Sequence, residues 1–324
     1  MRVYMNFREL RGPYGGANAF QRTIRRALER RGWRVTTDPG ARYDVALLNA
    51  LTNDIDLAFV QRVAERAPVV HRKVGYRVSG SADMRARVDG VVVGDRIQVE
   101  FTPHVAHTVF QSTYSRDVFL ESGFEGSYTV VRNGVDETIF TPEQRSGLLG
   151  RRRVLRPFWD GSTPIRVVIS TWSTDPNKGF DDYSAIDAVL EGRTEIELSL
   201  VGRVPDGLAF RNIGILPARP ARALAETLRA NHVLLQLARF ETCSNALIEG
   251  LNCGLPAIYL DSGANGEVAG PYGVPYEGDF LAALAAVQGR YDELVARVLE
   301  NPYRSSVMVE QYEQILRAVA EAGA

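Results

Sequence analysis

Residues 233–256 read VLLQLARFETCSNALIEGLNCGLP. Positions 233–237 form an apolar run of strand length, and positions 245–251 have the apolar character of a buried helix. A short polar loop joins the two. Because a strand that leads through a short loop into a helix is the repeating unit of α/β proteins, this stretch predicts a parallel sheet covered by helices.

The same alternation of short apolar runs and helical stretches recurs along the chain. Further strands are expected at residues 1–7, 44–48, 68–71, 108–111, 128–132, 165–170, 197–201 and 257–260. Helices are expected at residues 19–31, 279–299 and 305–322. In the first of these helices Phe20, Ile24 and Leu28 recur at every fourth position, which predicts a core-facing stripe. The pattern indicates the α/β fold class.

The alternation is interrupted between residues 136 and 164. The segment RRRVLRP at 151–157 is strongly charged and ends in proline, which is typical of a linker between domains. After residue 164 the strands and helices resume. We therefore expect two α/β domains, residues 1–145 and residues 160–303.

Composition narrows the class of protein further. The 324 residues include 38 lysines and arginines and 39 aspartates and glutamates, so a general nucleic-acid-binding surface is not expected. Cys243 and Cys253 are too few for a disulfide framework, and their spacing fits no common zinc motif. We find no apolar run of membrane-spanning length and no secretory signal, which predicts a cytoplasmic protein.

The opening stretch also carries the strongest chemical signal. Glu241 lies in the loop, and Glu249 lies about one turn inside the following helix. Ser244 or Asn245 can cap that helix, whose free N–H groups suit a phosphate. The Glu249 carboxylate can accept two hydrogen bonds from a ribose diol, and Glu241 is free to meet a second polyol. A charged side chain in an otherwise apolar helix needs a polar partner.

Several short motifs, in this order and spacing, resemble the retaining nucleotide-sugar glycosyltransferases of family 4. The pair Glu241 and Glu249 is followed by CGLP at 253–256 and SGANGE at 262–267. The other matching segments are GGAN at 15–18, FQS at 110–112 with Tyr114 and Ser115, NGVD at 133–136 with Phe140, and Lys178-Gly179. The resemblance covers nearly the whole chain.

This resemblance implies the GT-B fold, in which two Rossmann-like domains with parallel sheets face each other across a cleft. The first domain would bind the acceptor and the second the nucleotide-sugar. The last helix, residues 304–324, would pack back on the first domain. The implied reaction transfers a sugar with retention of anomeric configuration. In the favoured account a donor phosphate oxygen takes the acceptor proton, so no protein base is needed.

The resemblance also implies roles for the matching residues of the second domain. Glu241 would contact hydroxyls of the donor sugar, and Glu249 would hold the ribose. Lys178 would neutralise the donor diphosphate, with Glu241 and Lys178 as parts of the catalytic machinery. The backbone amides that would assist Lys178 belong to Ser244, Asn245 and Ala246.

In the first domain, the matching donor-binding residues are Gly15, Gly16 and Asn18, and Gly16 would let the backbone approach the phosphates. His71 ends a predicted strand, near the position where the family has a histidine beside the donor sugar and reacting centre. The alternative is a structural histidine satisfied by a loop carbonyl.

One residue of the family pattern is missing. The family usually has an arginine about five residues before the lysine of Lys-Gly, whereas here residues 170–177 read STWSTDPN. Arg203, which follows the next strand, could substitute for it in donor binding. The alternatives are that Arg203 is a solvated loop residue, or that Lys178 acts with the helix terminus alone.

The remaining charged motifs have two interpretations each. Arg72, Lys73 and Arg77 follow a strand and could bind an anionic acceptor or assist with donor phosphates; otherwise they belong to a loop that is merely charged. The triplet Asp54-Ile55-Asp56 is better explained by helix capping than by metal binding, so we expect no catalytic metal. No cofactor is expected either, since the nucleotide-sugar is a co-substrate.

The other histidines and the basic first helix are expected to be structural or solvated. His104, His107 and His232 precede strands, on the side away from a ligand. The arginines of residues 22–31 favour a solvated face over peripheral contact with a membrane.

The expected partners are a nucleotide-diphosphate sugar and an acceptor that is a saccharide, a lipid-linked molecule or a small molecule. Two alternative functions remain open. One is a non-catalytic binding protein on a degenerate GT-B fold. The other is a different GT-B enzyme, such as a sugar-nucleotide epimerase or a phosphorylase.

Overall fold

The computed structural model describes residues 1–6, 16–50, 55–75, 82–146, 151–154 and 158–323. These residues form two compact units. The first contains residues 1–6, Gly16–Asn133 and 305–323, and the second contains Gly134–Arg304. The division between the units therefore precedes residue 145, where the sequence predicts the first domain to end.

The first unit is built on a six-stranded sheet in the order β2-β1-β3-β4-β7-β8, in which every neighbouring pair is parallel. Its strands are β1 (Arg2–Met5), β2 (Arg34–Thr36), β3 (Val45–Asn49), β4 (Val69–Arg72), β7 (His107–Phe110) and β8 (Tyr128–Val130). A short antiparallel pair, β5 (Arg87–Val88) with β6 (Val91–Val92), lies outside it. Its first five helices are α1 (Gly16–Arg30), α2 (Leu57–Ala64), α3 (Ala82–Arg85), α4 (Val93–Glu100) and α5 (Thr113–Glu121).

Two apolar clusters hold this sheet between its helices. Phe20, Ile24 and Leu28 of α1 pack with Val45 and Leu47 of the sheet, as the four-residue repeat predicts. A second cluster joins the sheet to α2 through Val60 and Val63. All five residues of β3 are buried, which is typical of a strand covered on both faces.

The last helix of the chain, α12 (Ser305–Ala322), belongs to this first unit. Its residues Met308, Tyr312 and Leu316 are buried against α1 and the sheet. The rings of Tyr312 and Phe20 lie 5.2 Å apart. No helix in the described part of the chain is both long and apolar enough to cross a membrane.

The second unit contains another parallel six-stranded sheet, in the order β13-β12-β11-β14-β15-β16. Its strands are β11 (Ile165–Thr171), β12 (Ile196–Gly202), β13 (Ile213–Pro217), β14 (Val233–Gln236), β15 (Ala257–Tyr259) and β16 (Gly273–Pro275). Its helices are α6 (Phe180–Val189), α7 (Ala221–Arg229), α8 (Asn245–Asn252), α9 (Asn265–Ala269), α10 (Phe280–Gly289) and α11 (Tyr291–Leu299). An antiparallel pair, β9 (Glu143–Ser146) with β10 (Arg151–Val154), precedes them.

The strand order makes this second sheet doubly wound. Counted from β11, the order is 3-2-1-4-5-6, and the direction of winding reverses between β11 and β14. Apolar clusters cover both faces, one including Tyr183 of α6 and the other including Leu247 and Leu251 of α8. The α/β fold class and the parallel sheets predicted from the sequence are confirmed.

Two local predictions are corrected by the structure. The interrupted stretch at 136–164 contains the β9–β10 pair, although its charged composition predicts a linker. The predicted helix at 279–299 is two helices, because Gly289 ends α10 and Arg290 takes a non-helical ψ of 19° before α11 begins.

Three strands of the two main sheets were not predicted from the sequence. β2, β13 and β16 lie at sheet edges, where one side of a strand has no neighbour. Four of the five residues of β13 are partly or fully exposed. These three strands lack the continuous apolar run by which a buried parallel strand is found.

The packing of α12 on the first unit can be tested with Tyr312→Ala. Because Tyr312 is fully buried, we expect the substitution to lower the unfolding free energy of the first unit by about 3–5 kcal/mol. Val307→Ala, on the exposed side of the same helix, should change it by less than about 0.5 kcal/mol. Denaturant unfolding measures both, and equal effects would contradict the packing described here.

Candidate functional site

The carboxyl ends of β11 and β14 define the candidate site. Ligands of doubly wound sheets bind at such a reversal point, because the loops that follow the two strands run to opposite faces and leave a crevice. The segment after β11 leads to Lys178, and the loop after β14 leads to Glu241. The fold thus brings two residues singled out by the sequence to one edge of the sheet.

Lys178 and Glu241 form an ion pair across this edge. The Lys178 ammonium donates a hydrogen bond to Oε1 of Glu241. Both side chains are largely but not fully buried, with 26% and 16% of their surfaces exposed. Partial burial strengthens the attraction over that of a fully solvated pair, while each group remains within reach of a ligand.

The turn that carries Lys178 is shaped by its own residues. Asp175 accepts a hydrogen bond from the Asn177 amide (2.9 Å) and so caps the short 3-10 turn Pro176–Lys178. Gly179 follows with a φ of +84°, which favours glycine. A Cβ atom at Gly179 would lie 2.7 Å from the carbonyl oxygen of Leu237. The turn therefore lies directly against the segment that leads to Glu241.

Further hydrogen bonds join the turn to this segment. The Arg239 amide donates to the carbonyl of Asn177 (2.7 Å), and the Arg239 guanidinium pairs with Asp182 of α6 at 2.7 Å. The Leu237 amide donates to the hydroxyl oxygen of the buried Tyr183 (3.1 Å). These contacts hold Lys178 and Glu241 in a defined relation. Sequence reasoning missed Arg239 and Tyr183, because their partners are distant in the chain.

The loop at residues 261–265 supports Glu241 from another side. The Ala264 amide donates to the Glu241 carbonyl (2.7 Å), and the Phe240 amide donates to the Ser262 hydroxyl (3.0 Å). A Cβ atom at Gly263 would lie 2.5 Å from the Glu241 carbonyl oxygen. Phe240 takes a φ of +58°, an unusual conformation for an aromatic residue. The backbone of Glu241 is therefore closely constrained.

Helix α8, which follows the loop that carries Glu241, contains Glu249. The Ser244 hydroxyl accepts a hydrogen bond from the Leu247 amide (3.4 Å) and is the N-cap that the sequence suggests. Asn245 and Ala246, in the first turn of the helix, are partly exposed. Burial raises the pKa of the Glu249 carboxyl from 4.5 to about 8. The protonated form of this carboxyl, which can both donate and accept a hydrogen bond, therefore predominates near neutral pH.

Arg203 lies beside the segment from which the family arginine is missing. Its amide donates to the Thr171 carbonyl (3.1 Å), and its guanidinium stacks over the Trp172 ring at 4.7 Å. Gly202 makes this approach possible, because a Cβ atom there would lie 1.6 Å from the Thr171 oxygen. The ends of β11 and β12 thus bring Arg203 to the start of the Lys178 segment.

His71 is buried in the first unit. It lies on β4, and its Nε2 is 3.2 Å from the carbonyl oxygen of Ala50, to which it can donate a hydrogen bond. Burial and the nearby charge of Lys73 hold the pKa of His71 well below its usual value. A bond to a loop carbonyl is the feature expected of the structural alternative, and the catalytic role remains a prediction.

Arg72 and Lys73 are buried rather than presented on a charged loop. Arg72 donates to the side chains of Asn49, Gln111 and Asn133 and stacks 3.9 Å over the Phe20 ring. Lys73 is 0% exposed and donates to the carbonyl of Gln98. Both side chains thus have partners inside the unit, and Arg77 lies outside the described residues.

The other donor-side residues of the first unit are only partly described. Gly15 lies outside the described residues, Gly16 begins α1, and Asn18 is buried. Asp56 caps α2 by accepting from the Phe59 amide (2.6 Å), as the capping interpretation predicts, whereas Asp54 is not among the described residues. Within the described ranges, no three histidine, cysteine or acidic side chains are grouped to hold a metal ion.

The other three histidines and two arginines of the basic segment 22–31 contact neighbours within their own units. His104 lies 3.2 Å from Gln61, and His232 bonds to Arg166. His107 lies within β7 rather than before it and bonds to side chains of the neighbouring segment. In the basic first helix, Arg25 pairs with Glu29 and Arg31 with Glu313.

The chain matches no protein-family model and no curated protein. Solved structures share its fold at low sequence identity. A sucrose-phosphate synthase from Thermosynechococcus elongatus has a TM-score of 0.71 at 14% identity, covering 99% of this chain and 100% of that one. Anabaena HepE in complex with UDP and glucose has a TM-score of 0.66 at 14% identity, covering 98% and 99%. AviGT4, a glycosyltransferase involved in avilamycin A biosynthesis, has a TM-score of 0.63 at 14% identity, covering 99% and 98%.

The close approach of Gly179 to Leu237 can be tested by adding a methyl group. In Gly179→Ala the Cβ atom meets the Leu237 carbonyl and the φ stays positive, so we expect a loss of stability of about 1–3 kcal/mol. Gly207→Ala is the matched control, since Gly207 has a φ of +81° but no atom within 4 Å of the added Cβ. If the two variants melt at the same temperature, the contact does not constrain the turn.

The buried Lys73 predicts a pH-dependent stability. Burial lowers the pKa of Lys73 from 10.5 to about 7. Between these pKa values the unfolded chain holds the proton on Lys73 and the folded chain does not, so the contribution of Lys73 to wild-type stability falls as the pH drops from 10 to 7. Lys73→Met removes this penalty. The melting temperature of Lys73→Met minus that of the wild type should increase as the pH is lowered from 10 to 7. A difference that does not change with pH would contradict the burial of Lys73.

The fold comparison answers the main prediction of the sequence about architecture. Likeness to these structures over nearly the full length of both chains confirms the predicted GT-B fold, with two units built on parallel sheets.

Proposed function

We propose that the protein is a retaining glycosyltransferase that moves a sugar from a nucleotide-diphosphate sugar to an acceptor hydroxyl without a metal ion. The observation that carries the proposal is the meeting of Lys178 with Glu241 at the reversal point of the second sheet. Membership of family 4 and a cytoplasmic location are part of the same proposal. The fold shared with solved glycosyltransferases supports it.

The chemistry of the site fits departure of a nucleoside diphosphate. The Lys178 ammonium and the amides of Ser244, Asn245 and Ala246 would neutralise the negative charge that develops on the leaving phosphate. In family 4 a second positive charge comes from an arginine that this chain lacks. Arg203, stacked on Trp172, would supply that charge here. With these groups in place, the leaving group needs no divalent cation.

The two glutamates would hold the two polyols of the donor. Glu241 would accept hydrogen bonds from sugar hydroxyls. Glu249, whose raised pKa of about 8 keeps it protonated near neutral pH, would accept from one ribose hydroxyl and donate to the other. Both roles use hydrogen-bonding groups at positions that the backbone restrains.

The proposed reaction forms and breaks bonds on one face of the sugar. The bond between the anomeric carbon and the phosphate oxygen breaks, and the acceptor oxygen forms the new glycosidic bond on the same side. The released phosphate oxygen takes the proton of the acceptor hydroxyl. His71, Gly15, Gly16 and Asn18 are proposed on the donor side of the first unit, and Arg72, Lys73 and Arg77 on the acceptor side. For Arg72 and Lys73 this would require movement of side chains that are buried.

A panel of nucleoside diphosphates tests the donor site. UDP, GDP, ADP, dTDP and CDP are each added without and with magnesium, and the melting temperature is measured. UDP is the first probe, since HepE was solved with UDP and glucose. We expect one base to raise the melting temperature without magnesium, and Lys178→Met to abolish the rise. Arg193→Met, which removes an exposed cation from the opposite edge of the sheet, should leave the rise unchanged.

Two other outcomes of the nucleotide panel would contradict parts of the proposal. A rise that requires magnesium would contradict metal independence. No rise with any nucleotide would favour a non-catalytic protein on a degenerate GT-B fold. For the base that binds, the corresponding nucleoside diphosphate glucose is then supplied with water as the acceptor, and the anomer of the released glucose is identified by NMR before it mutarotates. An inverted product would contradict the retaining mechanism.

A further inference from the structure

The two charged groups of the site neutralise each other. Among the described residues, Lys178 is the cation within ion-pair distance of the Glu241 carboxylate. The nearby Arg239 is paired with Asp182 instead. Both members of the Lys178–Glu241 pair are mostly buried, so neither charge is fully compensated by water when its partner is lost.

The proposed function assigns these two groups to different parts of the donor. The diphosphate pairs with Lys178, and the sugar hydroxyls donate to Glu241. Binding of the donor must therefore separate the ion pair. A complete nucleotide-sugar replaces both lost interactions, because it supplies phosphate oxygens to the ammonium and hydroxyl groups to the carboxylate.

A nucleoside diphosphate that carries no sugar replaces only one of them. Its phosphates pair with the Lys178 ammonium, and the Glu241 carboxylate loses the cation with which it was paired. The carboxylate also comes to lie near the negative charge of the terminal phosphate. Binding of the free nucleoside diphosphate therefore leaves the Glu241 carboxylate uncompensated, an energetic cost that is absent when the nucleotide-sugar binds.

The backbone gives Glu241 little freedom to avoid this cost. Its carbonyl is held by the Ala264 amide at 2.7 Å and packed against Gly263. The Lys178 turn is fastened to the same segment by the bond from Arg239 to Asn177 (2.7 Å) and by the contact of Gly179 with Leu237. The backbone positions of the two residues are consequently fixed next to each other, so the Glu241 carboxylate remains within reach of Lys178 after a ligand has separated the pair.

We infer that Glu241 acts as an internal competitor of the diphosphate for Lys178 and thereby makes the site select the sugar-bearing nucleotide over free nucleoside diphosphate. This inference rests on the proposed function. It gives Glu241 a specificity role besides its contact with the sugar. It also implies that the nucleoside diphosphate left after sugar transfer is released readily, because the ion pair between Glu241 and Lys178 forms again.

The test is the affinity for free nucleoside diphosphate when the carboxylate is neutralised. Dissociation constants of the five nucleoside diphosphates named above are measured by calorimetry for the full-length wild type, Glu241→Gln and Glu241→Ala. Removing the competing charge should tighten binding of the responding diphosphate by about threefold to tenfold in both variants. The second variant covers the case in which glutamine at 241 disturbs folding, which the melting temperature without nucleotide reveals.

Glu195→Gln provides the control. It neutralises an exposed carboxylate that pairs with Arg193 before the amino end of β12 and not with Lys178, so the affinity should change by less than about twofold. An equal gain in Glu195→Gln would overturn the inference, because it would indicate a general effect of net charge.

The failure of the inference and that of the proposed function give different results. If the wild type binds a nucleoside diphosphate and the Glu241 variants bind it equally well or more weakly, the competition is refuted and the donor site stands. If neither the wild type nor any variant binds any of the five, both the proposed function and the inference are overturned.

Discussion

The parallel pairing of β11 with β14 is the constraint on which the candidate site depends. The register, with Val167 opposite Val233, sets the two strand ends side by side at one edge of the sheet. Since the winding reverses between these strands, the segments that follow them leave toward opposite faces. Lys178 arrives from one segment and Glu241 from the other, so a change in this register would separate them.

Small residues allow the backbones around the site to meet. Gly179, Gly202 and Gly263 each occupy a position where a Cβ atom would collide with a neighbouring carbonyl. Hydrogen bonds then fasten the approaching segments, notably from Arg239 to Asn177 and from Ala264 to Glu241. The charged side chains consequently stand on a backbone with little local freedom, which is what discrimination between similar ligands requires.

The first unit uses its charged residues differently. Arg72 is enclosed by three amide side chains and a phenyl ring, and the buried Lys73 donates to a backbone carbonyl. Buried charges of this kind are tolerated when they are hydrogen-bonded, and burial lowers the pKa of Lys73 to about 7. Arg72 and Lys73, which look like part of a charged surface loop in the sequence, are therefore part of the interior here.

The sequence by itself determined the α/β class and the loop-to-helix unit that carries Glu241 and Glu249, because these follow from local periodicity. The GT-B architecture was implied by the resemblance of motifs along the chain to family 4. Edge strands such as β13 stayed hidden, since they lack a continuous apolar run. Only the tertiary structure decided that Lys178 meets Glu241, that Arg239 fastens the lysine turn and that Lys73 is buried. Each of these depends on distant segments meeting across a sheet, and no local pattern encodes which residues will face each other there.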